Sequence, residues 1–364
     1  MILREITAFF EKLAPLLYQE SYDNSGLQVG DYSMEITGAL ITLDVTEGVV
    51  DEAINKIFNL IICHHPVIFS GVKSVTGKNT TERILQKAIK NDIAIYAAHT
   101  NMDSIVQGVS HKMCEVIGLK KCKILDPILG KLKKLVVFVP ESHEEKVRMA
   151  LFEGGAGVIG KYDSCSFNTK GEGTFRGGEG SDPFVGEKGK LHKEAEIRIE
   201  TVFPEHVKGS VITAMLQAHP YDEVAYDIFP LENKYSEIGM GMIGEMEPPI
   251  SETKFLEVLK KRFQTGVIKH SELTGGMIKK VAVVGGAGSS LLIKAISQKA
   301  DVFVSGDFKY HQFFDADGKI LIADIGHFES EQYTREIFYD LLIKKFPKFA
   351  VQLSEINTNP IKYF

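Results

Sequence analysis

Between Gly38 and Asp103, short apolar runs alternate with segments of helical period: GALITLDV, VVDEAINKI, LIICHH, TERILQKAIK and IAIYAAHTNMD. Strands separated in this way by amphipathic helices pair in parallel, because each helix carries the chain back across the sheet to start the next strand in the same direction. The rhythm recurs from Lys280 in VAVVGG, a helix near SLLIKAISQKA, DVFVSGD, a short helix through KYHQFF, KILIADIGH and one long helix SEQYTREIFYDLLIKKF. The chain thus reads as two α/β halves of similar construction.

Between the halves the texture changes. Residues 133 to 232 hold strands at KLVVFVP, DSCSFNTKGEGTFR, AEIRIETVFP and EVAYDIFPL, with helices near HEEKVRMALFEG and HVKGSVITAMLQA. That order, βαββαβ, is the order of a ferredoxin-like module. The Gly-rich stretch Gly171 to Gly189 reads as an exposed hairpin loop within it. A chain of 364 residues with 44% apolar content is too long for one ordinary core. We therefore expect a discontinuous α/β domain, 1–128 and 236–364, interrupted by an inserted α+β domain, 129–235.

The net charge of -6, with basic residues scattered, leaves no electrostatic footprint for duplex nucleic acid or an anionic membrane. Small polar or anionic substrates fit this balance. No apolar stretch approaches the roughly 18 to 20 residues that span a bilayer. The N-terminus opens an amphipathic helix with Glu5 and Glu11 and has no secretory pattern. Cys63, Cys114, Cys122 and Cys165 form no CxxC pair and read as reduced thiols, so a cytoplasmic location is expected.

The chemistry-bearing residues gather at strand ends. His64 and His65 follow NLIIC and precede Pro66, where a terminating strand can turn both imidazoles into one cleft; the alternative is one buried and one exposed histidine. His99 and Asp103 follow IAIYAA, at the carboxyl edge where open α/β sheets bind small ligands. Asp103 is either a carboxylate that bridges cations or a turn cap. His327 ends ILIADIG, and Glu331 lies four residues on, on the same helical face; the alternative is a Glu favoured by the helix N-terminus beside a satisfied histidine. Three imidazoles with two carboxylates suit zinc, iron or manganese and suit calcium poorly.

Other polar groups follow the same strands. His99 reads as a general acid or base, or as a residue orienting a ligand, with Asn101, Ser305, Asp307 and His311 nearby. The loop Gly285 to Ser290 is a tight turn before a helix, or a phosphate cradle lacking the P-loop lysine. Asp23 to Gly30 and His219 to Glu223 read as turns that set strand entry.

Taken in order, DNSGLQVG at 23–30, ICHHP at 62–66, HTNMD at 99–103, VVGGAGSS at 283–290, SGDFKYH at 305–311 and DIGHFESE at 324–331 resemble the GTP cyclohydrolase 1 type 2 homologue, or Nif-three-like, family. The resemblance implies two divalent metal ions held by residues matching His64, His65, Asp103, His327 and Glu331. It also implies a toroidal homohexamer with metal sites facing an internal cavity. The middle module, with HPYDEVAYDI, resembles the insert of longer bacterial members, itself similar to PII and CutA trimer-forming domains. Two functions are compatible with it: a metal-dependent hydrolase acting on a nucleotide or small polar metabolite, or a non-catalytic metal-binding or regulatory protein sensing a ligand through the PII-like insert.

Overall fold

The strands Gly38–Thr42, Leu60–Cys63 and Ala94–Ala97 run side by side in parallel, and every residue of all three is buried. Burial on both faces is why they read as continuous apolar runs rather than as an alternation. The helices Glu47–Asn55 and Thr80–Lys90 begin at Thr46 and Asn79, whose side chains accept from the Val49 and Glu82 amides, and they bury Val49, Val50, Ala53, Ile84 and Ala88 against the sheet. An antiparallel strand, Gly26–Val29, closes one edge on Ala94–Ala97. The other edge is closed by Ala350–Leu353, parallel to Gly38–Thr42.

A second parallel set, Met277–Val283, Val302–Ser305 and Leu321–Asp324, is flanked by the antiparallel strands Lys234–Ser251 and Lys269–His270, with Lys120–Leu129 outermost. The two halves are therefore not self-contained. The last strand of the chain completes the first sheet, and Lys120–Leu129 from the first half completes the second.

The long C-terminal helix expected from the sequence is two helices, His327–Glu331 and Thr334–Lys345. The interruption falls where Gln332 Nε2 donates to the Phe263 carbonyl and Tyr333 Oη to the Arg262 carbonyl. Glu331 consequently ends a short helix instead of sitting in the first turn of a long one.

The computed structural model describes residues 1–364, which divide into one unit of Met1–Pro127 with Glu237–Phe364 and a second of Ile128–Ser236. In the second unit Leu132–Pro140, Ser166–Arg176, Leu191–Pro204 and Tyr226–Leu231 form one antiparallel sheet. Its spatial order puts the first and third strands at the centre, with the second and fourth outside. The helices Glu144–Glu153 and Lys208–Ala218 bury Val147, Leu151, Val211 and Met215 on Leu135, Val137, Val139, Ile197 and Ile199, leaving the opposite sheet face free of helices. The Gly-rich stretch is not all loop: Gly171 and Gly173 lie inside the strand Ser166–Arg176. No helix is long and apolar enough to cross a membrane.

Candidate metal centre

Both histidines of the His-His pair turn into one cleft because the strand ends on a shared acceptor: the His64 and His65 amides both donate to the Leu43 carbonyl, at 3.1 and 3.0 Å. His99 opens the helical turn Thr100–Asp103, and the Asp103 amide donates back to the His99 carbonyl, so both side chains follow from one turn after Ala94–Ala97. His327 and Glu331 begin and end their five-residue helix. That helix starts close to Gly306, where a Cβ would lie 2.8 Å from the His327 amide nitrogen.

Each imidazole is tied at Nδ1. His64 Nδ1 lies 2.8 Å from the Ala98 carbonyl, His65 Nδ1 2.7 Å from Asp44 Oδ1, His99 Nδ1 2.7 Å from Asp23 Oδ1 and His327 Nδ1 2.8 Å from Asp307 Oδ2. Each bond places the proton on Nδ1 and turns Nε2 inward, the usual outer arrangement of a metal-ligating histidine. His65 Nε2 lies 2.9 Å from Glu331 Oε2 and 3.2 Å from His327 Nε2, and His327 Nε2 lies 3.1 Å from the same carboxylate oxygen. His64 Nε2 is 3.7 Å from both Asp103 Oδ1 and Glu331 Oε1.

The fit to a cation rests on two atoms. His64 Nε2 and Asp103 Oδ1 are buried without a hydrogen-bond partner. Each such orphan costs about 1–3 kcal/mol unless something satisfies it, and a cation between them would satisfy both. Two groups could hold an ion: His64, His65 and His99, and His65, His327 and Glu331, the donor atoms of each lying within 4.8 Å of one another.

Carboxylates and imidazoles share this pocket, and each shifts the protonation of the others. Burial pushes the His64 imidazole down. Burial also opposes protonation of His65, but hydrogen bonds to Asp44 and Glu331 outweigh it and raise His65 to about 10. His327 is raised to about 9 despite its burial, through Glu331 and Asp307. Burial and then the Glu331 charge drive Asp103 well above the carboxylate range. Glu331, although equally buried, is held well below that range by the imidazoles around it.

The structure brings all five sequence-expected ligand residues, and His99, into this cluster. Of the neighbours expected there, Asp307 holds His327, and Asn101 Oδ1 accepts from the His99 amide. His311 is elsewhere, packed on Tyr310 and Phe314. Ser305 braces the glycine loop instead: it donates to the Gly286 carbonyl and accepts from the Gly288 amide. The Gly286 amide is committed to Ser330 Oγ, so the loop is a tight turn rather than a phosphate cradle. Gly286 has φ +62°, and a Cβ there would lie 2.3 Å from Glu331 Oε1, so the loop makes room for the carboxylate.

Two partners were missed. Asp23, inside a segment read as a structural turn, holds His99 Nδ1 and accepts from the Thr100 amide and hydroxyl. Asp44, which holds His65, accepts in turn from Thr358 Oγ1 at 2.6 Å. Asp44 lies two residues past the end of the strand Gly38–Thr42, so the strand-end argument that found the histidines would have found it too. Removing the carboxylate in Asp44→Ala is expected to weaken metal binding about 10- to 100-fold, read by competition with a chromophoric chelator. Unchanged affinity would show that Asp44 does not orient His65.

A family model, Duf34/NIF3 (NGG1p interacting factor 3), matches residues 1–360. The chain is 39% identical to the GTP cyclohydrolase 1 type 2 homolog of Bacillus subtilis, over 99% of this chain and 98% of that protein. It is 40% identical to the protein of the same name from Halalkalibacterium halodurans, over 98% of each. Among solved structures, a Bacillus cereus protein related to NIF3 aligns with a TM-score of 0.87 at 38% identity, covering 100% of this chain and 99% of that one.

Proposed function

This chain belongs to the Duf34/NIF3 family, and on that premise we propose that it is a metal-dependent hydrolase. It holds two divalent ions through His64, His65, Asp103, His327 and Glu331 and acts on a nucleotide or another small polar metabolite. The observation that carries the reading is the convergence of three Nε2 atoms and two carboxylates, among which His64 Nε2 and Asp103 Oδ1 are buried without a partner. The donor set suits zinc, iron or manganese.

When bound, such an ion supplies Lewis acidity, which makes water a competent nucleophile near neutral pH and polarises a carbonyl, phosphoryl or ring carbon. The protein's own contribution is orientation and proton handling. Asp44, Asp307 and the Ala98 carbonyl lock the three ligand imidazoles with Nε2 inward. His99, tied to Asp23 through Nδ1, keeps Nε2 free to take a proton from, or return one to, the reacting atoms. The Duf34/NIF3 relatives named as GTP cyclohydrolase 1 type 2 homologs make GTP the first substrate to try. The toroidal homohexamer and the PII/CutA likeness of the inserted unit belong to the same reading. Sedimentation equilibrium is expected to give six chains per particle, and a monomer would remove that part.

The test is turnover by purified, metal-loaded protein on GTP and a panel of phosphoesters, nucleosides and cyclic amides. We expect turnover with at least one member, abolished by His64→Ala. No turnover across the panel at full metal occupancy would overturn the hydrolase reading.

Metal loading should also release protons. His65 and His327, raised to about 10 and about 9, are imidazolium ions in the metal-free protein at neutral pH, and each must lose a proton to become a ligand. Because both values lie above the ordinary 6.5, the ion pairs favour the metal-free fold fully below that pH, and the contribution is lost as pH rises through 9 to 10. Titrations with zinc in buffers of different ionisation enthalpy should report at least about two protons released per chain at pH 7, from His65 and His327, with any proton held by Asp103 added to them. Release of none would contradict this charge assignment.

A further inference from the structure

The inserted unit contains a cavity of about 550 Å³ on the helix-free face of its sheet, a size that suits a small molecule. Its floor follows from strand alternation. Ile197 and Ile199 point to the helices, so Glu196 and Arg198 point to the other face, beside Phe138 of the neighbouring strand. On the outer strand Gly171 and Gly173 share that face and carry no side chain, and glycine inside a strand often marks the close approach of a ligand. Gly173 leaves room for the carboxylate: a Cβ there would lie 2.1 Å from Glu196 Oε2.

The walls are aromatic. Phe175 and Phe184 face the Tyr221 ring with centroids at 5.9 and 6.3 Å. Tyr221 is delivered by the His219-Pro220-Tyr221-Asp222 turn. His219 anchors that turn by donating from Nε2 to the Phe138 carbonyl and accepting the Tyr221 amide at Nδ1. The Asp182 amide donates to Asp222 Oδ2 and holds the connection bearing Phe184 over the cavity.

Charge decides the ligand class. Glu196 is 8% exposed, and the Tyr221 hydroxyl donates to its Oε1 at 3.0 Å. The one cation on the same face, Arg198, is paired with Glu200 at 2.9 Å. Lys170 and Arg176 also line the cavity from the outer strand, where they alternate with the glycines; Lys170 pairs with Glu141, and the alternation turns both side chains away from the face that bears Glu196. A buried carboxylate without a cationic partner, framed by aromatic rings, attracts an organic cation both by ion pairing and through the ring faces.

We propose that this cavity binds a small organic amine with an aromatic or apolar body, its ammonium group held by Glu196 and its body lodged among Phe138, Phe175, Phe184 and Tyr221. The turn at 219–223, read from sequence as a strand entry, is then also part of a binding site. The proposal is independent of the metal centre.

The test uses the full-length chain with 2-phenylethylamine, its neutral isostere 2-phenylethanol and the anion phenylacetate, followed by calorimetry and ligand-observed NMR. The amine is expected to bind saturably and at least about tenfold more tightly than the alcohol, with phenylacetate weakest. Glu196→Gln should erase the preference for the amine while leaving the alcohol's affinity in place, and Phe184→Ala should weaken both. Equal affinity for amine and alcohol, a preference for phenylacetate, or no saturation by about 10 mM would overturn the proposal. The last result, with a concentration-dependent particle mass, would assign the face to a second copy of the chain. If Glu196→Gln does not fold, the ratio of amine to alcohol affinity in the unmodified chain decides alone.

Discussion

Glu331→Ala is expected to yield a folded chain that retains no metal through gel filtration. Glu331 meets every imidazole of the proposed ligand set: Oε2 lies 2.9 Å from His65 and 3.1 Å from His327, and Oε1 lies 3.7 Å from His64. Its loss removes a ligand common to the whole cluster, so the drop in affinity should exceed the roughly 10- to 100-fold expected for an orienting residue such as Asp44. The same change removes one of the two acceptors that raise each of His65 and His327, Asp44 and Asp307 remaining, so both should titrate nearer 6.5 in the metal-free variant. Elemental analysis measures the first effect and histidine NMR titration the second. Wild-type metal content in Glu331→Ala would show that the ions bind elsewhere.

Asp103→Asn is expected to act in two opposite directions. Burial and the Glu331 charge hold the Asp103 carboxyl well above the carboxylate range, so at neutral pH it burdens the metal-free fold. The sign follows from linkage: a carboxyl raised on folding destabilises the fold increasingly as pH climbs above its ordinary value of about 3.9. A neutral amide of the same shape removes that burden, and the melting temperature of the metal-free protein should rise by about 1–3 °C. The amide also removes a charged ligand beside His64 Nε2, so the large stabilisation on adding metal, about 4 kcal/mol at a thousandfold excess over Kd, should largely vanish. Calorimetric melts with and without zinc measure both. A lower metal-free melting temperature, with metal stabilisation intact, would mean that Asp103 is a structural cap.

The parallel strands of both sheets were legible because burial on two faces writes continuous apolar runs. The edge strands were not. Ala350–Leu353 is four residues long, and nothing in its local pattern says that it pairs with Gly38–Thr42, more than three hundred positions earlier. The break after Glu331 was hidden for a related reason, since a helical period continues through Gln332 and Tyr333 and only their tertiary bonds interrupt it. At the site, the residues that converge were those at the carboxyl ends of strands, where chain direction alone predicts the neighbourhood. Asp23 escaped because it reaches His99 across 76 positions from within an ordinary turn signal. The cavity of the inserted unit escaped because the face that Gly171 and Gly173 share with Glu196 emerges only from the ladder with Leu191–Pro204.

The most direct measurement of the central claim is anomalous diffraction at the zinc, iron and manganese edges from crystals of the unmodified chain, with metal content determined on the same preparation. Two anomalous peaks per chain, ligated between them by His64, His65, Asp103, His327 and Glu331, are predicted. A single peak, peaks that leave His64 and Asp103 unligated, or a fully loaded protein with no peak in this cluster would contradict it.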